Sequence, residues 1–121
     1  MTEHSSRGRQ GFTLAEVVTA SGLIAISILG IGLLQGMVIR MNRMTEEMVG
    51  ATAASQAKIE EISAQDSGAR TSGTDTFEGY NRSWTLASGI STGTTALTVI
   101  SSWDDIGGNA HQMTLSSIVA D

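Results

Sequence analysis

A chain of 121 residues has room for one small domain and one further segment. Seven basic residues against twelve acidic ones give a net charge of −5, which excludes the basic face that a nucleic-acid binder needs. With no cysteine, no proline and 14 glycines, no disulfide staples the fold, and the turns must rest on Gly, Ser, Thr and Asn.

Residues 1–10 are polar, carry Arg7 and Arg9, and show no apolar periodicity, so they read as a cytoplasmic leader and not as structure. From Val17 to Ile39 no residue is charged. At about 1.5 Å rise per residue, this run crosses a hydrocarbon core of about 30 Å, and a membrane-spanning helix is expected over residues 12–39. Glu16 stands in its first turn. A lone carboxylate costs roughly 2.5–3.5 kcal/mol at the centre of a span and less near its end, so it calls for a partner or must reach out to the interface. Thr13 is expected to bond a backbone carbonyl. An ordinary secretory signal would have an apolar core of about 7–15 residues ending at a small-residue cleavage site. This run is longer and opens on an acid. A plain single-pass anchor accounts for the apolar run and leaves Glu16 and the Gly11-Phe12 junction unexplained.

The stretch Gly11-Phe12-Thr13-Leu14-Ala15-Glu16, behind a short leader with Arg7 and Arg9, resembles the class III signal peptide of type IV pilins and type II secretion pseudopilins. That resemblance implies a leader of residues 1–11, cleavage after Gly11 by a prepilin peptidase, N-methylation of Phe12, and assembly into a filament cored by these helices. A residue without a Cβ at position 11 lets a peptidase bring its groups close to the scissile carbonyl. The freed amine of Phe12, from a neighbouring subunit or the same chain, would then pair with Glu16. The resemblance also sets the orientation: N-terminus cytoplasmic, C-terminal domain outside, with the chain in the inner membrane and then in an extracellular pilus or a periplasmic pseudopilus. Basic residues on the two flanks, Arg7 and Arg9 against Arg40 and Arg43, do not decide this.

Within the span, Gly32 and Gly36 form a small-xxx-small pair that lets another helix approach closely. With Gly22 and Gly30 they also weaken the helix, and any melting would centre on residues 30–36. Beyond Ile39 the pattern becomes amphipathic, and the helix is expected to continue over residues 40–64. Met37, Met41, Met44, Met48, Thr52, Ser55, Ile59 and Ile62 form one stripe, expected to be covered by a sheet or by neighbouring subunits. Arg40, Arg43, Glu47, Lys58 and Glu61 occupy the opposite side.

Residues 65–121 are expected to form a small globular β domain. Residues 65–75 read as a loop. Three strands are expected over residues 77–87, 96–103 and 110–119. Tyr80, Arg82, Trp84 and Leu86 share one face, as do Leu97, Val99, Ser101 and Trp103. The expected fold class is α+β: a long N-terminal helix with a three-stranded antiparallel sheet laid over its C-terminal half, near the minimum for independent stability. Trp84 and Trp103 read as core. Asp104 and Asp105, with Glu78 or Asp121, lack the ordered loop of a calcium site. His4 and His111 have no nucleophile or carboxylate at a recognisable spacing, so no catalytic residue, metal or cofactor is assigned.

The segment from Leu97 to Asp105, a valine-bearing strand ending in tryptophan and acids, is similar to one in PilV-type minor pilins and the related minor pseudopilin I. The resemblance implies a structural filament subunit, a minor pilin of a type IV pilus, whose partners are other pilins and the prepilin peptidase. A minor pseudopilin of type II secretion is the close alternative, and a single-pass anchored binding protein is the alternative of another class.

Overall fold

Without proline, and with Leu, Ile, Ala, Met and Glu in long supply after Thr13, nothing interrupts helical propensity for many turns. The computed structural model describes residues 11–121, and in it helix α1 spans Leu14–Ser63. The expected leader lies outside the described residues, except for Gly11. The glycines between 30 and 36 are helical, so no melting centred there is present. The chain divides into two units, Met1–Met41 and Asn42–Asp121. All described residues of the first unit are exposed, and by length and composition its helix is long and apolar enough to cross a membrane.

The second unit is α+β. Its part of α1 is followed by a short 3-10 turn, Ser67–Ala69, and by strands β1 (Gly73–Phe77), β2 (Tyr80–Ser88), β3 (Thr94–Asp104) and β4 (Ala110–Ala120). These pair antiparallel in the order β1-β2-β3-β4, so the sheet has four strands where three were expected. The additional strand is β1, whose first residues fall in the expected loop. Gly-Thr-Asp-Thr-Phe shows no apolar alternation, but Glu78 and Gly79 both take positive φ, 49° and 88°, as a two-residue hairpin turn requires. Pairing of Phe77 with Tyr80 sets the register. Gly73 is needed because a Cβ there would lie 2.9 Å from the Trp84 ring.

The inward face of β3 is the expected one: Leu97, Val99, Ser101 and Trp103 are buried. Leu97, Val99 and Ile62 form the core, flanked by half-buried Ile59, Trp84, Leu86 and Val119. Full burial of Leu97 and Val99 contributes roughly 1.5–3 kcal/mol each, which makes this a small core.

The sheet covers the C-terminal half of the expected stripe, with Ser55 and Ile62 buried and Thr52 and Ile59 half-buried, and leaves its methionine half open. Ala51, Ala54, Ser55, Lys58 and Ile62 are buried, while Met37, Met41, Met44 and Met48 stay 43–59% exposed. At about 100° per residue, the buried face is turned roughly 60° from the methionine stripe. Small residues are the reason. Ala51, Ala54 and Ser55 let the sheet come close enough for Ser55 and Ser101 to share a 2.7 Å hydrogen bond and for Arg82 Nη1 to donate to Ala54 O at 3.0 Å. Higher up the helix, Tyr80 lies against Gly50, where a Cβ would run into its hydroxyl, and that hydroxyl donates to Glu47 O at 3.0 Å.

Candidate functional site

The first turn of α1 and the three residues before it carry all the expected processing and assembly residues except the glycine pair. Gly11, Phe12 and Thr13 precede the helix, Phe12 is 88% exposed and Glu16 is exposed. Thr13 N donates to Glu16 Oε2 at 3.1 Å, and Glu16 N donates to Thr13 Oγ1 at 3.3 Å. This reciprocal pair is a capping box: it satisfies two backbone donors that the helix start would leave orphaned, and it sets a negative charge at the positive end of the helix dipole. Thr13 therefore accepts from a backbone N–H, a correction to the expected bond to a carbonyl. The signal was present in the sequence as Thr-x-x-Glu before an apolar run. Glu16 keeps its second oxygen and further lone pairs for another donor.

Gly11 is not required by the fold. A Cβ there meets nothing within 4 Å, and its φ is not left-handed. Gly32 and Gly36 are helical, and a Cβ at either would meet nothing within 4 Å beyond the helix's own nearby backbone. Such positions leave space for a second backbone.

A second polar constellation joins helix to sheet and was not anticipated. Lys58, expected on the solvent side, is buried because carboxylates meet its ammonium: Nζ lies 2.8 Å from Glu61 Oε2 and 2.9 Å from Asp75 Oδ2, and 4.2 Å from the centre of the Trp84 ring. Burial works against the ammonium, yet Glu61 and Asp75 outweigh it and hold the Lys58 pKa above its ordinary value. Arg82 grips Asp75 bidentately, Nε to Oδ1 at 2.7 Å and Nη2 to Oδ2 at 2.6 Å. That fork, with the Lys58 bond, holds the Asp75 carboxyl below the usual range despite partial burial. The cluster has no nucleophile, and every charge in it has a partner, so its chemistry is cohesion.

Around Trp103 the contacts are also structural. Its Nε1 donates to Glu47 Oε2 at 3.1 Å, Tyr80 meets its ring edge-on, and the His111 ring stacks on it. Glu47, expected on the solvent side, is thus turned to the sheet. Asp105 accepts from Asn109 N at 2.8 Å and from Asn109 Nδ2, and shares a 3.1 Å contact with His111 Nε2, all of which push its pKa well down. Asp121 accepts from Thr95 Oγ1. Both carboxylates are thus engaged inside the fold, and among the described residues no group of three or more His, Asp or Glu side chains could hold a metal ion.

No protein family, no characterised protein and no solved structure matches the chain.

Proposed function

We propose that the chain is a structural filament subunit, a minor pilin of a type IV pilus, cut after Gly11 and assembled through its N-terminal helix. The observation that carries this reading is the junction itself. A Gly11-Phe12 bond stands exposed just ahead of a capped helix whose Glu16 carboxylate has acceptor capacity left over among the described residues, and whose described apolar side chains are exposed. A Cβ at position 11 meets nothing among the described residues, which supports a reason outside the fold, the approach of a peptidase, for the glycine. Cleavage makes the Phe12 amine. That cation, on a neighbouring subunit, meets the Glu16 carboxylate in the low-dielectric core of a helix bundle, where each charge would otherwise be buried alone. Close approach of the neighbouring helix is easiest at Gly32 and Gly36. The same features suit a minor pseudopilin of a secretion piston equally well, and deletion separates the two by loss of piliation or loss of secretion.

The test is mass spectrometry of the mature chain from its native membrane. The expected species starts at Phe12 and carries one added methyl group; a chain that keeps residues 1–11 throughout points instead to a plain anchor.

A further inference from the structure

The second feature of the fold that looks outward is an edge of the sheet. Asp105 N donates to Asn109 O at 2.9 Å, which fixes the phase of the β3–β4 ladder: odd-numbered residues of β4 turn their N–H and C=O toward β3. The far end agrees, with Asp121 N donating to Gly93 O at 3.0 Å. Gln112, Thr114, Ser116 and Ile118 therefore turn their backbone groups away from the sheet, where no strand of the described residues lies. Among the described residues, an outward group is met at the end of the strand, where Arg70 Nη1 donates to Ala120 O at 2.9 Å.

Edge strands are ordinarily blunted by charge, proline, a bulge or shortness. The β1 edge follows that rule, with five residues and Asp75 held between Lys58 and Arg82. The β4 edge does not. It is 11 residues long, carries no Lys, Arg, Asp, Glu, Pro or Gly, and pairs with β3 in unbroken register from Ala110 to Ala120. Beside it runs a partly apolar seam, where Thr52 Oγ1 donates to Met113 Sδ at 3.3 Å and Met48 stays 43% exposed.

We propose that the outward edge of β4 is a docking edge for an extended, non-acidic strand of another protein, which adds to the sheet as a fifth strand. A row of unpaired N–H and C=O groups is complementary only to another backbone in extended form. The net charge of −5 disfavours an acidic partner. A second copy paired β4 to β4 is a poor occupant. It carries the same net charge of −5 and is disfavoured by the same repulsion. A docking edge on β4 does not depend on cleavage after Gly11, so mass spectrometry of the N-terminus and the experiment below can fail independently.

The probe is a short synthetic peptide alternating threonine and valine between terminal lysines, added to the full chain in detergent micelles, with amide hydrogen exchange read residue by residue. The expected result is at least tenfold slower exchange at Gln112, Thr114, Ser116 and Ile118, with the already protected odd-numbered amides unchanged. Ser116→Pro removes one outward N–H and spares the β3 ladder, and should abolish the protection. Should that variant misfold, Ser116→Lys should weaken peptide binding several-fold through repulsion from the lysines, and Ser116→Glu should strengthen it. Three outcomes overturn the proposal: no protection at the even-numbered amides, protection indifferent to all three substitutions, or even-numbered amides already protected in a peptide-free dimer, which would make the occupant a second copy.

Discussion

At Glu16 one carboxylate makes one observed bond and is proposed to make a second of a different kind. Its Oε2 accepts the Thr13 N–H, a local contact that a neutral amide oxygen would make as well. The proposed bond to a Phe12 amine needs the negative charge. Substitution separates them. Glu16→Gln keeps the capping box and removes the charge; Glu16→Ala removes both, at an expected cost of about 1 kcal/mol in the first turn. Both variants should insert into the membrane normally, and both should fall at least tenfold in filament incorporation by immunogold counting. Wild-type incorporation of Glu16→Gln alongside a defect in Glu16→Ala would assign Glu16 to capping and end the charge-pairing account. The Thr-x-x-Glu spacing makes the cap legible in the sequence. A carboxylate near lipid also asks for an ionic partner, and the spacing alone does not rank that partner below the nearer backbone donor. Gly11 shows the converse: only the structure shows that no contact among the described residues requires it.

At the scale of elements, the sequence carried the helix, its end to within a residue, and the inward faces of β2 and β3, because 3.6- and 2-residue periods are written in side-chain type. It did not carry the angle at which sheet meets helix, nor β1. The angle depends on which helix residues are small enough for close approach, a property of Ala51, Ala54 and Ser55 that a count of apolar positions passes over. Strand β1 depends on partners distant in the chain. Asp75 has no apolar signature, yet it is bound by Arg82 from β2 and Lys58 from α1. This network makes stability depend on pH at both ends. The Asp75 pKa is lowered in the fold, so its contribution is present above the unfolded value of about 3.9 and is lost as pH falls through the folded one. The Lys58 pKa is raised, so its contribution is present below about 10.4 and is lost as pH climbs through the folded value. Urea midpoints followed by tryptophan fluorescence should be level between these limits and decline outside them. Asp75→Asn should lower stability near neutral pH by roughly 2–3 kcal/mol, less than for a fully buried pair because the Asp75 side chain is 32% exposed. It should also make the acid decline shallower, leaving the part contributed by Asp105, whose pKa is lowered too. An acid limb unchanged by Asp75→Asn would remove Asp75 from the linkage.

For the whole molecule, the division at Met41 separates two kinds of surface. All described residues before it are exposed and most are apolar, whereas the core, the Lys58–Asp75–Arg82 network and the Trp103 contacts belong to residues 42–121. A chain beginning at Asn42 should therefore fold in water without detergent. It should unfold in one cooperative step, with the near-ultraviolet dichroism of Trp84 and Trp103 matching the full chain in micelles. At roughly 0.05–0.15 kcal/mol per residue, and with a core this small, about 4–6 kcal/mol is expected. On the methionine side of the helix in this unit, exposed Met44 and Met48 set the condition for solubility. Two large apolar side chains make a patch modest enough for a soluble monomer to carry. If the fragment instead associates, and Met48→Lys restores the monomer without changing the unfolding midpoint, that face requires cover in the working protein. If it fails to unfold cooperatively even as a monomer, the helix before Met41 stabilises the sheet domain, and the boundary between the two units is not a folding boundary.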